Sequence, residues 1–180
     1  MASVLSRTGT SGTTSIPATP STAVTQVGVA SSINTTFTAT TVVDGTAWDL
    51  SAPVAGQFAK TSDNWIGLIT AVDNATDTIT VKKWVRADGS TSDGKPADGS
   101  TVAVHRVWRC NTLKAKADNS NAAGIHLRQN VSATTSSYKL LANETITFVA
   151  EVGCKYVDAT LINAISASGT LTLWWITECQ

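Results

Sequence analysis

The chain has 180 residues, 42% of them hydrophobic and only 14% charged, with thirteen basic side chains against thirteen acidic ones. That length suits one ordinary domain or two small β domains with an arm. A formal net charge of zero lacks the basic footprint of a nucleic-acid binder, and a neutral, weakly charged surface favours association over a freely soluble monomer.

Residues 1–43 stand apart. Nineteen of the 43 are serine or threonine, Arg7 is the sole charge before Asp44, and Pro17 and Pro20 fall in the middle. A segment with so few large side chains cannot bury enough apolar area to offset its ordering entropy. Alone it is expected to be extended or disordered, a tail or linker. Threonine favours β structure, however, and against a neighbouring subunit the same segment can lie down as an added strand. Its apolar side chains Ile16, Pro17, Val24, Val27 and Val29 are therefore candidate interface residues. The opening residues lack a signal peptide's apolar stretch, and no run approaches the roughly 20 apolar residues that cross a bilayer. No membrane partner is expected.

Residues 44–109 read as about five short strands of a small SH3-like or OB-like barrel. Turn signals fall at Ala52-Pro53, Ser62-Asp63-Asn64, Asp73-Asn74, Asp88-Gly89, Asp93-Gly94 and Asp98-Gly99. The clearest element is NWIGLITAVDNATDTITVKKW, residues 64–84. Trp65, Gly67, Ile69 and Ala71 share one face of its first strand, with Ile66, Leu68, Thr70 and Val72 on the other. Asp73 to Asp77 make the turn, and the return strand sets Ile79, Val81 and Lys83 opposite Thr78, Thr80 and Lys82. Gly67 marks a bend or a close backbone approach.

Residues 110–180 are expected to form an antiparallel β-sandwich, with strands in NTLKAKA, AGIHLRQNV, SYKLLANETITFVAEV, KYVDATLINA and GTLTLWWITE. A short helical turn is the most that TLINAIS (160–166) suggests. The fold class is thus all-β: an extended N-terminal arm over 1–43, a small barrel over 44–109 and a sandwich over 110–180.

Little reactive chemistry is legible. His105 and His126 sit in alternating segments and read as ordinary strand residues rather than a catalytic pair. The Asp-Gly pairs are what tight turns use, and DGSTSDGKPADGS (88–100) lacks the alternating oxygen ligands and closing glutamate of a calcium loop. Cys110, Cys154 and Cys179 are irregularly spaced, which reads as reduced thiols in a cytosol-made protein rather than a zinc site. There is no G-x-S-x-G, phosphate-cradling loop or H-E-x-x-H. No catalytic residue, metal or cofactor is expected. Of the six tryptophans, adjacent Trp174 and Trp175 must point to opposite faces of a strand. Both are candidate interface residues, since one of them leaves the core of its own sheet.

Three stretches carry a resemblance. SGTTSIPATPSTAVTQVGVASS is similar to extended arms that lie across neighbours, GQFAKTSDNWIGLITAVDNATDTITVKKWV to small barrel modules, and LANETITFVAEVGCKYVDATLINAISASGTLTLWW to closing strands of β modules. Such arms, modules and closing strands are features of virion proteins of tailed bacteriophages, which the chain resembles. The chain most resembles capsid decoration (cement) and head-fibre proteins, a likeness of pattern that spans most of its length. It implies a non-enzymatic protein, homotrimeric, bound to the major capsid protein on the outside of the shell. The hairpin is then architecture. A tail, neck, baseplate or fibre component is the next reading, and a carbohydrate-binding module using exposed tryptophans is a third. A hydrolase comes last, for want of an acid and base to name.

Overall fold

Alternating threonine, valine and isoleucine dominate the chain, and the structure, a computed structural model, turns nearly all of that alternation into short antiparallel strands. It describes residues 10–30, 35–44, 53–88, 90, 94–150 and 154–178; Trp48 and Cys179 lie outside these. In chain order the strands are β1 (Ser11–Ile16), β2 (Thr22–Ala23), β3 (Gln26–Ala30), β4 (Thr36–Phe37), β5 (Thr41–Val43) and β6 (Phe58–Thr61). The long hairpin follows as β7 (Trp65–Asp73) and β8 (Thr78–Arg86), then β9 (Val102–His105), β10 (Arg109–Cys110), β11 (Thr112–Ala117) and β12 (Ile125–Gln129). The last are β13 (Tyr138–Leu140), β14 (Thr145–Val149), β15 (Val157–Asp158), β16 (Ile162–Ser166) and β17 (Leu171–Glu178). Between β15 and β16 a single 3-10 turn covers Ala159–Leu161, with the Asp158 carboxylate accepting from the Thr160 N–H at 3.0 Å.

The chain divides into two units, residues 1–25 with 107–180 and residues 26–106. The sequence places the boundaries at 43/44 and 109/110. The difference lies in the arm. Residues 11–25 belong to the first unit, where β1 pairs along β17 and β2 along β16, while β3, β4 and β5 pair within the second. A segment too polar to fold alone is ordered by strands far away in sequence, which satisfy its backbone hydrogen bonds.

The unit of residues 1–25 and 107–180 is a sandwich. One sheet runs β1-β17-β11-β14, the other β13-β12-β16-β2, with β10-β15 as a separate pair. Ile16, Leu113, Leu173 and Trp175 from the first sheet meet Ile125, Leu127, Leu140 and Ile162 from the second in one buried cluster, as in face-to-face sheet packing.

The unit of residues 26–106 is a single sheet, β3-β9-β6-β7-β8-β5-β4. Every strand sends apolar side chains to one cluster, from Phe37, Val42 and Ala59 through Trp65, Ile79 and Trp84 to Val104, with Val27 against its edge. A sheet can do this only if it curls around that cluster. Among the described residues no ladder joins β3 to β4, so strand pairing does not close the expected barrel there, and other bonds hold the β4 edge. Phe37 N–H donates to the Asp98 carboxylate at 2.8 Å, Gly99 N–H to Thr35 O at 2.8 Å, and Thr35 Oγ1 to Ser100 O at 2.7 Å. These bonds tie the edge strand β4 to the turn that leads into β9.

The hairpin departs from simple alternation twice. Gly67 pairs with Trp84, Ile69 with Val81 and Ala71 with Thr80, so each strand carries an irregularity. Lys82 and Lys83 are consecutively exposed, and Trp84 takes the inward place that strict alternation gives to Lys83. Beyond Ile69 the faces swap, leaving Ala71 exposed and Val72 against the core. One extra residue in a strand has this effect.

Candidate binding face

The outer surface of the sheet β1-β17-β11-β14 is built by alternation. In β17, Leu171, Leu173, Trp175 and Thr177 turn inward while Thr172, Trp174, Ile176 and Glu178 turn outward. In β11, Leu113, Ala115 and Ala117 face the core and Lys114 and Lys116 face out. Ala115 pairs with Trp175, so a small side chain makes room for the indole. The Trp175 N–H is satisfied inside the unit by Thr14 Oγ1 at 3.1 Å, and that hydroxyl donates to Val24 O at 2.5 Å.

Register sets the outer residues in rows. One row runs Thr13, Trp174, Lys116, Thr145, and the next Ser11, Ile176, Lys114, Thr147. Three large apolar side chains are about half exposed here, Trp174 at 51%, Ile176 at 49% and Val149 at 58%. An open groove of about 270 Å³ runs among Lys114, Lys116, Thr145, Trp174 and Ile176, and lysine stems add apolar surface beneath their charged ends.

The indole of Trp174 is held. Its N–H donates to Asp118 Oδ2 at 2.5 Å, while Asp118 Oδ1 accepts from Ser120 Oγ at 2.6 Å and from Ser120 N–H at 2.8 Å. Those hydrogen bonds, the Ser120 hydroxyl foremost, and the Lys116 charge bring the Asp118 carboxyl down to about 2. Asn121 bonds both backbone groups of Thr172, at 2.8 and 3.0 Å, which fastens this turn to β17. Lys114 reaches Glu178 at 3.5 Å. The face thus pairs two cations with two anions around a fixed aromatic ring. Beyond these balanced charges the face exposes apolar and planar surface.

The other candidates lie elsewhere. Ile16 and Val24 are fully buried in the sandwich core and Trp175 is 3% exposed, so none of these three is open to a partner. Pro17 is half-buried and its carbonyl accepts from Ser166 N–H at 2.9 Å. Val27 packs against the core of residues 26–106, and Val29 lies in β3, its side chain outside the described residues. Sequence reasoning missed Ile176, Val149, Lys114 and Lys116. The signal was present for Ile176, which shares the parity of Trp174 on one strand.

His105 and His126 fall in different units. Burial, with the nearby Lys60 charge, pushes His105 down to about 3 and keeps it neutral, and His126 Nδ1 lies 3.1 Å from Ser137 O. The turn aspartates are engaged with backbone. Asp73 accepts from Ala75 N–H, Asp88 from Ser90 and Asp98 from Phe37. Cys110 is buried and Cys154 exposed. Among the described residues no three His, Cys, Asp or Glu side chains converge as metal ligands. No protein-family model, curated protein or solved structure matches this chain.

Proposed function

We propose that the chain is a non-catalytic structural protein of a bacteriophage particle, a capsid decoration protein that seats the outer face of β1-β17-β11-β14 on the shell. One observation carries this reading: Trp174 and Ile176 stand about half exposed side by side on the outer face of one sheet, with the half-exposed Val149 two strands away on the same face. An exposed apolar patch marks an interaction surface, and a tryptophan held in place by its own hydrogen bond is the type of anchor that dominates binding energy. The zero net charge and the resemblance of the sequence to virion proteins support the same reading. Binding of the full chain to shells stripped of it is the test. Trp174→Ala should weaken binding at least tenfold, the scale of an interface anchor, and unchanged binding would remove the face from the proposal. A copy number near that of the shell protein supports decoration, whereas a small fixed number per particle moves the same contact to the tail, neck or baseplate.

A second reading rests on Asp118. By engaging the indole N–H it leaves the ring of Trp174 for apolar stacking, with Thr13 beside it in register and Thr145 further along the same groove, an arrangement that also suits the C–H face of a sugar. Quenching of tryptophan fluorescence by polysaccharide, lost in Trp174→Ala, would favour carbohydrate binding over a protein seat.

A further inference from the structure

We infer that β14 is a self-pairing edge, through which two copies of this chain join antiparallel about a two-fold axis at Thr147. The inference is independent of any capsid, since it concerns the edge of the sheet rather than its outer face.

β14 ends the sheet, with β11 on one side and no strand on the other among the described residues. Backbone direction follows from its neighbour. Ala117 N–H donates to Glu144 O and Ala117 O accepts from Asn143 N–H, both at 3.1 Å. Ala117 therefore faces β14, and so do Ala115 and Leu113, two and four residues back. These pair with Ile146 and Phe148. Thr145, Thr147 and Val149 consequently turn their N–H and C=O groups away from the sheet. The sequence Thr-Ile-Thr-Phe-Val has no charge, proline or glycine, the devices by which edge strands resist pairing.

Two neighbours could cover such an edge. β1, at the opposite end of the sheet, is also uncharged, but its inward residues Thr14 and Ile16 are already buried. β14 is incompletely covered: Ile146 and Phe148 are only partly buried against the core and Val149 is 58% exposed. With the axis at Thr147, Thr145 meets Val149 of the second copy, Thr147 meets itself, and Ile146 meets Phe148. The partly covered apolar side chains cover each other, aromatic against β-branched, which is a favourable cross-strand pair. A two-fold contact is also the commonest closed arrangement, and zero net charge sets no long-range repulsion against it. The contact is two-fold where the resemblance implies three-fold.

Sedimentation of the full chain over a range of concentrations tests this. The wild type should show a monomer–dimer equilibrium. Thr147→Asp and Thr147→Lys each set like charges directly opposite and should weaken dimerisation at least tenfold, while an equal mixture of the two should restore it, because each residue 147 then meets its opposite. Thr147→Pro removes only an outward N–H and should also weaken it. Thr147 is exposed, and a far-UV spectrum matching the wild type with a cooperative thermal transition confirms that each variant used is folded. A wild type that stays monomeric, forms trimers, or dimerises unaffected by these charges would overturn the inference, as would a mixture that fails to recover.

Discussion

Lowering the pH from 7 to 5 should destabilise the unit of residues 26–106 through His105. This histidine is 2% exposed on β9, and burial, then the Lys60 charge, brings its pKa from 6.5 to about 3. The folded unit keeps it neutral, whereas the unfolded chain takes up a proton below about 6.5. The unfolded state thus binds more protons between the two values. Stability is full above pH 6.5 and declines as the pH falls towards 3. One pH unit corresponds to about 1.4 kcal/mol, so the loss is about 2 kcal/mol at pH 5. Urea unfolding at the two pH values measures it, with tryptophan fluorescence reporting Trp65 and Trp84 in this core. His105→Gln removes the titrating group and should remove most of the difference between pH 7 and pH 5, whatever it does to absolute stability. The lowered carboxyls of Asp63, Asp73, Asp88, Asp98 and Asp118 favour the fold above the ordinary carboxylate range. Their contribution is lost only below about pH 4, equally in both proteins. An undiminished loss from pH 7 to 5 in the variant would refute the reasoning.

Gly67→Ala should cost about 1–3 kcal/mol by overpacking, because the added Cβ would lie 2.8 Å from Val81 Cβ. Combining it with Val81→Ala, which removes the Cγ1 and Cγ2 atoms that would lie 2.9 and 3.0 Å away but keeps Cβ, should recover part of that cost, and strictly additive urea midpoints would count against the clash. Thr14→Val should cost about 1–3 kcal/mol in thermal unfolding, since it strands the buried Trp175 N–H and the Val24 carbonyl that one hydroxyl serves. A loss no larger than that of an exposed Thr13→Val control would show those groups to be satisfied otherwise.

Period-two alternation and turn chemistry are local properties, and the residues alone determined what depends on them. The all-β class, the long hairpin from Trp65 with its turn before Thr78, and the opposite facing of Trp174 and Trp175 all follow from neighbours in sequence. Alternation cannot say which face is inward, however, nor detect an inserted residue. The irregularities at Gly67, Ile69 and Ala71 put Trp84 rather than Lys83 into the core, because the sheet must curl to bring seven strands onto one cluster. The choice of Trp174 as the exposed tryptophan was made across the sheet, where Ala115 leaves space opposite Trp175 and Lys116 stands opposite Trp174. The arm is the clearest case. Its serine and threonine content predicts a segment that cannot fold alone. Only tertiary structure supplies β17, β16 and β9 as partners, and a threonine-rich strand is stable once distant strands accept its backbone hydrogen bonds and bury its few apolar side chains, Ile16 and Val24 among them.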